Sequence, residues 1–243
     1  MNLLALDTAG GSCSVALWSG DGVVARRFNL MARGQSERLV PMIAEVMAEV
    51  GWDFADLDAL AVTTGPGGFT GVRIGLATAR GLALARGLPL IGVSSFEVAA
   101  AAASPQERAG RRLLAVLDSK RYELFIQAFD ADLRAVGPPA EIALEALPAA
   151  AAPGPLVLTG DAAARAAPVL EEAGRGDVLL AAAAGPAAAV LLAERAALRD
   201  PARAAQTPVR PVYLRAPDVT PAKPLRPTPI RPKRHPKGGK RPS

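Results

Sequence analysis

The first fifty residues alternate between short apolar runs and polar turns before an amphipathic stripe begins. The runs "NLLALDT" (2–8), "CSVALWS" (13–19) and "GVVARRFNL" (22–30) end in turn residues and predict three antiparallel strands. Apolar side chains then recur every three or four residues, which is typical of an amphipathic helix. We expect this helix to be capped by Ser36 and to end at Gly51.

Strands and helices alternate over the following residues. Strands are predicted at 57–65 and 89–95, one helix runs from the glycine-rich loop to about Arg86, and another begins at Phe96. The resulting order β-β-β-α-β-α-β-α predicts an α/β fold in which a mixed sheet is flanked by helices.

A second unit follows, and its pattern is weaker. We predict strands at 111–118, 122–130 and 154–161, a helix at 187–200 and an extended, proline-containing segment after it. The residues between 137 and 190 are crowded with alanine and proline, so the pattern defines no boundaries there. The unit resembles a second, degenerate copy of the first sheet, although no sequence identity between the two supports a repeat.

The stretch "GPGGFTGVRIGLATARGLALA" (65–85) carries six glycines at the start of a predicted helix. It does not match the Walker A motif, because no lysine precedes Lys120, and it does not match the dinucleotide fingerprint, because Thr70 stands where the third glycine would be. Thr70 is instead a candidate helix cap. The free N–H groups of such a helix start could hold an anion, but we do not expect this loop alone to bind a nucleotide.

Small residues recur at every fourth position of that helix. Gly71, Gly75, Ala79 and Ala83 form one ridge, although glycine inside a helix costs about 1 kcal/mol relative to alanine. The ridge therefore predicts a close approach by another backbone. The pattern alone favours packing onto this chain's own sheet or first helix and leaves a partner surface as the alternative.

Few residues offer catalytic chemistry. Asp7 and Thr8 end the first strand before a Gly-Gly hairpin, where actin-like ATPases hold metal and phosphate, but the pattern alone favours an ordinary strand-end turn. The only histidine, His235, lies near the C-terminus, so neither a histidine metal site nor a Ser-His or Cys-His dyad is expected in the folded body. Cys13 is predicted to be a buried structural thiol, and Asp118 has no evident carboxylate partner.

Charge divides the chain at Pro217. Residues 217–243 contain eight Lys or Arg, one Asp and eight prolines, whereas residues 1–216 contain 20 basic and 22 acidic residues. This composition predicts a disordered basic tail, which either contacts phosphates or only improves solubility. No apolar run approaches the ~20 residues that span a bilayer, and the N-terminus lacks the basic flank of a signal peptide, so we expect a cytoplasmic protein without a membrane segment.

Several stretches resemble the TsaB (YeaZ-like) family, the dimerisation subunit of the bacterial tRNA threonylcarbamoyladenosine machinery. They are "LLALDTAGGSCSVALW", "QSERLVPMI", "GPGGFTGVRIGLATARGLA", "VLDSKRYELF" and "PVYLR". The resemblance is close over roughly residues 2–130. It implies a two-lobed actin-like, ribonuclease-H-like fold, with a first lobe at 1–105, a smaller degenerate lobe at 106–216 and the tail at 217–243.

The same resemblance implies a non-catalytic role. The family scaffolds a homologous metal-dependent subunit that transfers a threonylcarbamoyl group to the adenosine beside the tRNA anticodon. Further implied partners are an ATPase accessory subunit, a second copy of the chain and, indirectly or weakly, tRNA. No cofactor or metal is expected on this chain alone, ATP is allowed at a shared interface, and Asp7 and Thr8 become a vestigial phosphate loop.

The family pairs through helices of its first lobe, so the resemblance favours a partner interface at Gly71, Gly75, Ala79 and Ala83. One departure is Gln35, which stands where many family members are expected to carry histidine. The competing interpretation is an enzyme, either an actin-fold ATP-dependent kinase or a metallopeptidase-like protein.

Overall fold

The computed structural model of the chain describes residues 1–20, 22–181 and 188–215. The strands are β1 Asn2–Asp7, β2 Ser12–Ser19, β3 Gly22–Leu30, β4 Ala59–Thr63, β5 Leu90–Val93, β6 Arg112–Asp118, β7 Leu124–Phe129, β8 Ala140–Ile142, β9 Leu156–Thr159 and β10 Val178–Leu180. The helices are α1 Gln35–Val50, α2 Phe69–Arg86, α3 Ser95–Ala101, α4 Pro105–Arg108, α5 Leu147–Ala150, α6 Ala163–Glu172, α7 Ala188–Ala197 and α8 Pro201–Ala205, with a short 3-10 helix at Leu144–Ala146.

The strands form two five-stranded sheets with the same topology. The first sheet has the order β3-β2-β1-β4-β5 and the second has the order β8-β7-β6-β9-β10. In each, the first three strands pair antiparallel, and the two strands on the other side of the central strand run parallel to it. This arrangement confirms the predicted α/β class with mixed sheets, and the second sheet repeats the topology of the first.

The first sheet is covered on both faces. Leu4 and Leu6 of β1 pack towards α1, whose apolar stripe is buried up to Met47 and partly buried at Val50. Leu3 and Ala5, which alternate with them, pack towards α7 on the opposite face. The predicted lobe boundaries stay a prediction, but α7 lies within the range predicted for the second lobe and its buried side chains contact the first sheet.

Helix α3 lies between the two sheets. Its Val98 belongs to the core beneath the first sheet, whereas Phe96 packs with side chains of the second sheet. The hydroxyl of Thr159 on β9 donates to the carbonyl oxygen of Ala99 at 2.6 Å in the buried region. A capping box between Ser94 and Glu97 begins this helix.

Two of the predicted helix starts are wrong. Helix α1 begins at Gln35 after Gly34, whose φ of 90° only glycine adopts readily, so Ser36 is not the cap. Helix α2 begins at Phe69 after Gly68, so Thr70 lies inside the first turn. The predicted end of α1 at Gly51 is confirmed, with that residue in the left-handed region at φ 71°.

The ridge of small residues in α2 faces the interior of this chain. A Cβ atom at Gly71 would overlap the carbonyl oxygen of Thr8, and one at Gly75 would lie 2.7 Å from the Thr8 hydroxyl oxygen. Ala79 is fully buried and Ala83 is 9% exposed. The structure therefore corrects the expected partner interface at these four positions: they bring α2 into close contact with β1.

We expect the two glycines Gly71 and Gly81 of α2 to respond to alanine with opposite signs. Gly71→Ala should lower the free energy of unfolding by about 1–3 kcal/mol, because the added methyl group meets backbone that cannot move away cheaply. Gly81→Ala should raise it by up to about 1 kcal/mol, because no atom lies within 4 Å of the new methyl group and alanine is the better helix former. Urea denaturation measures both, and a Gly71→Ala chain as stable as wild type would contradict this packing.

Candidate functional site: the interlobe cleft and the outer face of α2

A cleft opens between the two sheets. The β1–β2 hairpin with Gly10 and Gly11 lines one side, and the ends of β6 and β9 line the other. The side chains that carry charge in its lining are Asp7, Asp118, Lys120 and Asp161. The cleft thus presents three carboxyl groups and one amine.

The structure places Asp7 in the cleft, but its carboxyl group is engaged. One oxygen accepts the N–H of Ala9 at 2.9 Å and the other accepts the hydroxyl of Thr63 at 2.8 Å. Burial raises the pKa of Asp7 above its ordinary value, and the carboxylate of Asp161 across the cleft raises it further, against the lowering effect of these two hydrogen bonds. Both oxygens of Asp7 therefore take part in supporting the strand end.

The side chain of Thr8 contacts α2 and does not line the cleft. It is 2% exposed, and its hydroxyl donates to the carbonyl oxygen of Gly71 at 2.7 Å. Of the predicted phosphate loop, the structure thus brings only Asp7 to the cleft and uses Thr8 to anchor a helix. Phosphate binding by this pair stays a prediction.

Asp118 and Asp161 face each other from the second sheet. The carboxylate of Asp161 accepts the backbone N–H of Asp118 at 2.8 Å, and burial raises the pKa of Asp161. Partial burial also opposes ionisation of Asp118, but hydrogen bonds from Lys120 and the charge of Arg165 hold the pKa of Asp118 below its ordinary value. The carboxyl group that sequence alone did not reveal beside Asp118 is therefore that of Asp161, and the cations paired with Asp118 are Lys120 and Arg165.

Cys13, the other candidate reactive group, does not line the cleft. Cys13 is fully buried as predicted, and burial raises the pKa of its thiol to about 11, which disfavours a reactive thiolate. Within the described ranges, no three His, Cys, Asp or Glu side chains are grouped so that they could hold a metal ion. No helix in those same ranges is long and apolar enough to cross a membrane.

The outer face of α2 carries a second row of small residues. Ala77, Gly81 and Ala85 lie four positions apart and are all exposed, and Leu84 beside them is 88% exposed. No atom lies within 4 Å of a Cβ built at Gly81. This outer ridge (Ala77, Gly81, Ala85) has the same spacing as the buried ridge, on the opposite side of the helix.

An extended segment at 208–215, here named the C-terminal strap, crosses the first sheet beside α2. The N–H of Val212 donates to the carbonyl oxygen of Thr64 at 2.8 Å. Arg80 of α2 donates to the carbonyl oxygen of Val209 at 2.5 Å. The strap ends at Arg215, which forms ion pairs with Glu123 and Glu141 of the second sheet and so connects the two sheets.

The strap also completes an exposed cluster at the start of α2. The guanidinium carbon of Arg73 lies 3.5 Å from the ring centroid of Phe69 and 5.9 Å from that of Tyr213. Nε of Arg73 donates to the Tyr213 hydroxyl at 3.1 Å. Sequence reasoning missed this cluster because 140 residues separate Arg73 from Tyr213, although "PVYLR" was part of the family resemblance.

Comparison with known proteins places this geometry in a family. Residues 22–157 match the model described as TsaD, tRNA N6-adenosine threonylcarbamoyltransferase. The chain is 42% identical over 132 residues to the tRNA threonylcarbamoyladenosine biosynthesis protein TsaB of Escherichia coli K12. A solved structure, YeaZ from Pseudomonas aeruginosa, superposes with a TM-score of 0.69 at 28% identity, over 88% of this chain and 99% of that one.

The chain belongs to the TsaB/YeaZ-like family. The alignment with the E. coli TsaB covers 54% of this chain and 56% of that protein, so the chain spans about half the length of that relative. An uncharacterized protein of Mycobacterium tuberculosis H37Rv matches more of it, at 32% identity over 90% of this chain and 94% of the relative.

Gln35 marks the expected departure from the TsaB/YeaZ-like pattern. Its side chain is 8% exposed, and Nε2 donates to the carbonyl oxygen of Met31 at 3.2 Å. The amide therefore supports the turn that leads into α1, a role for which no charge is required.

Asp7 makes a testable contribution to the pH dependence of stability. Because its pKa is raised in the folded state, the folded chain binds this proton more tightly than the unfolded chain does. The stabilisation is complete below the unfolded pKa and is lost as pH rises through the folded pKa. From pH about 4 to about 7, the free energy of unfolding of wild type should therefore fall relative to that of Asp7→Asn.

Urea denaturation at several pH values gives this difference directly. Asp132→Asn, at an exposed carboxyl group, is the control for the loss of one acid. A constant difference between wild type and Asp7→Asn over this range would show that Asp7 ionises in the folded chain as it does in the unfolded chain.

Proposed function

We propose that this chain is a non-catalytic assembly subunit in tRNA threonylcarbamoyladenosine biosynthesis, which scaffolds a homologous metal-dependent threonylcarbamoyltransferase. In that complex the partner transfers the threonylcarbamoyl group to the adenosine beside the anticodon. The observation that carries the proposal is the outer ridge of α2, an exposed small-residue face on a chain that belongs to the TsaB/YeaZ-like family.

The outer ridge suits a helical partner. Glycine at position 81 costs about 1 kcal/mol relative to alanine, and no contact inside the chain requires it. A helix that docks over Ala77, Gly81 and Ala85 could approach closely, because no side chain longer than a methyl group stands on the ridge. The family match at 22–157 includes α1 and α2, so a catalytic relative would present the equivalent helices for pseudo-twofold pairing.

The cleft supports a non-catalytic role. Both oxygens of Asp7 already accept hydrogen bonds, Lys120 is paired with Asp118, and the remaining charge in the lining is that of Asp161. In this lining a polyphosphate would meet no cation that is not already paired with a carboxylate. The residues present thus fit a phosphate poorly, and we propose that ATP, where the complex uses it, binds at a shared interface.

The proposal includes further partners. An ATPase accessory subunit, a second copy of this chain and an indirect or weak contact with tRNA complete the expected assembly, in the cytoplasm. The rival proposal, an actin-fold kinase or a metallopeptidase-like enzyme, requires ATP turnover or a tightly held metal ion in the purified chain alone.

Bulk on the outer ridge should disrupt assembly and leave the fold intact. Ala77→Leu should weaken binding to the threonylcarbamoyltransferase of the same organism about 5- to 150-fold, since overpacking of a close contact costs about 1–3 kcal/mol. The free variant should melt close to wild type, because position 77 is exposed. Titration calorimetry and thermal melting measure the two effects.

Ala164→Leu supplies the matched control, since it makes the same substitution at an exposed position of α6. It should leave the affinity unchanged. Equal affinities for wild type, Ala77→Leu and Ala164→Leu would place the interface elsewhere. Failure of the wild-type chain to bind the transferase at all would refute the proposed function.

The predicted contact of the basic tail with tRNA concerns residues 217–243, which lie outside the described residues. Deletion of these residues removes eight bases and one acid. Each phosphate contact adds about 0.7–0.9 to the slope of log affinity against log salt, so the truncated chain should bind tRNA with a shallower slope. Filter binding at several salt concentrations measures this, and equal slopes would show that the tail makes no phosphate contact.

A further inference from the structure

We infer that Arg73 is a preformed anchor for a carboxylate group of the partner subunit that covers the outer face of α2. The inference rests on the proposed function, because it names the chemistry by which that partner is recognised. It assigns a role to an exposed cluster that the packing of the chain alone does not require.

The first step is the geometry of the guanidinium group. The guanidinium carbon of Arg73 lies over the Phe69 ring, 3.5 Å from its centroid, and the centroids of the Phe69 and Tyr213 rings are 5.6 Å apart. The hydrogen bond from Nε to the Tyr213 hydroxyl fixes the remaining rotation. Arginine held in this way loses little further freedom when it binds, and its planar fork matches a carboxylate bidentately.

The second step is the rigidity of the support. Tyr213 stands on the C-terminal strap, next to Val212, whose N–H is bonded to Thr64. Upstream, the side chain of Val209 packs so closely on Gly92 that a Cβ there would lie 2.7 Å away. Downstream, Arg215 holds the strap to Glu123, just before β7, and to Glu141 on β8. The strap is therefore fixed on both sides of the tyrosine.

The third step is that the positive charge of Arg73 has no ion-pair partner among the described residues. Among the described residues, no carboxylate forms an ion pair with Arg73, whereas other arginines such as Arg38 and Arg175 have one. Helix α2 contains Arg73, Arg80 and Arg86 and no acidic residue. The outer face of α2 thus carries positive charge that this part of the chain does not compensate, which favours a negatively charged group on whatever covers it.

The fourth step selects protein over nucleic acid. Arg73 covers the face of Phe69, so that ring is not free to stack on a base. One turn along the helix three exposed residues are apolar or small: Ala77, Gly81 and Leu84, the last 88% exposed. An arginine on an aromatic support, at the edge of an apolar patch, has the composition of a protein–protein hot spot.

The experiment compares variants of the full chain in binding to the threonylcarbamoyltransferase of the same organism. Arg73→Gln should weaken binding about 30-fold or more, the threshold loss for a hot-spot side chain. Arg73→Lys should recover little of the loss, because lysine keeps the charge but neither the planar fork nor the stacking. Tyr213→Phe, which removes only the orienting hydroxyl, should weaken binding less than Arg73→Gln does.

Arg112→Gln is the control, because it removes the same charge from an exposed position on β6 of the second sheet, and its affinity should equal that of wild type. Thermal melting of each free variant excludes unfolding as the cause of weaker binding. If Arg73→Gln melts at a lower temperature than wild type, the affinities of Arg73→Lys and Tyr213→Phe for the transferase test the inference instead. Equal binding by Arg73→Gln and Arg112→Gln overturns the inference, and so does full binding by Arg73→Lys.

Two other outcomes also decide the matter. If Arg73→Gln weakens tRNA binding in a filter assay while the affinity for the transferase is unchanged, Arg73 contacts phosphate and the carboxylate anchor is wrong. If the wild-type chain does not bind the transferase, the proposed function fails and the anchor fails with it. Loss of the anchor alone leaves wild-type binding intact, so the two failures are distinguishable.

Discussion

The structure depends on the close approach of α2 to the end of β1. The N–H of Gly68 donates to the carbonyl oxygen of Ala9 at 2.8 Å, and the hydroxyl of Thr8 donates to the carbonyl oxygen of Gly71 at 2.7 Å. Side chains are excluded from this contact, since a Cβ at Gly67 or Gly71 would overlap backbone. Because the helix lies against the strand end itself, its start, the glycine loop and the hairpin after β1 are held as one unit.

That contact engages backbone groups with which a glycine-rich loop could hold a phosphate. In a phosphate-binding loop the small residues let backbone N–H groups approach the ligand. Here the same small residues let a helix approach its own sheet, and the N–H of Gly68 is consumed by Ala9. Asp7, one residue before Thr8, is also buried at this strand end, and its carboxyl group accepts a hydrogen bond from the Thr63 hydroxyl. Close packing and ligand binding would use the same backbone groups, and here the N–H of Gly68 is used for packing.

Sequence patterns predicted most of the first sheet and little of the outer face of α2. The apolar runs of β1 to β5 and the stripe of α1 have clear periods, so their positions follow from burial alone. The four-residue spacing in α2 correctly indicated close approach, but spacing does not say which side of a helix faces the sheet. Arg73 and Arg80 could have marked the outer side, since charged residues seldom face a core. The strap and its contact with Arg73 depend on residues 140 positions apart, which no local pattern encodes.

The two rows of small residues on α2 differ in what requires them. At Gly71 and Gly75 the chain's own backbone and Thr8 exclude a side chain, so the cost of glycine in a helix is offset within the fold. Gly81 lies in open space at the surface, where alanine would be more stable by about 1 kcal/mol. A cost with no compensation inside the chain is expected where a second molecule must approach closely. This is why the outer ridge, with Arg73 at one end, supports an intermolecular role, whereas the inner ridge explains only the fold.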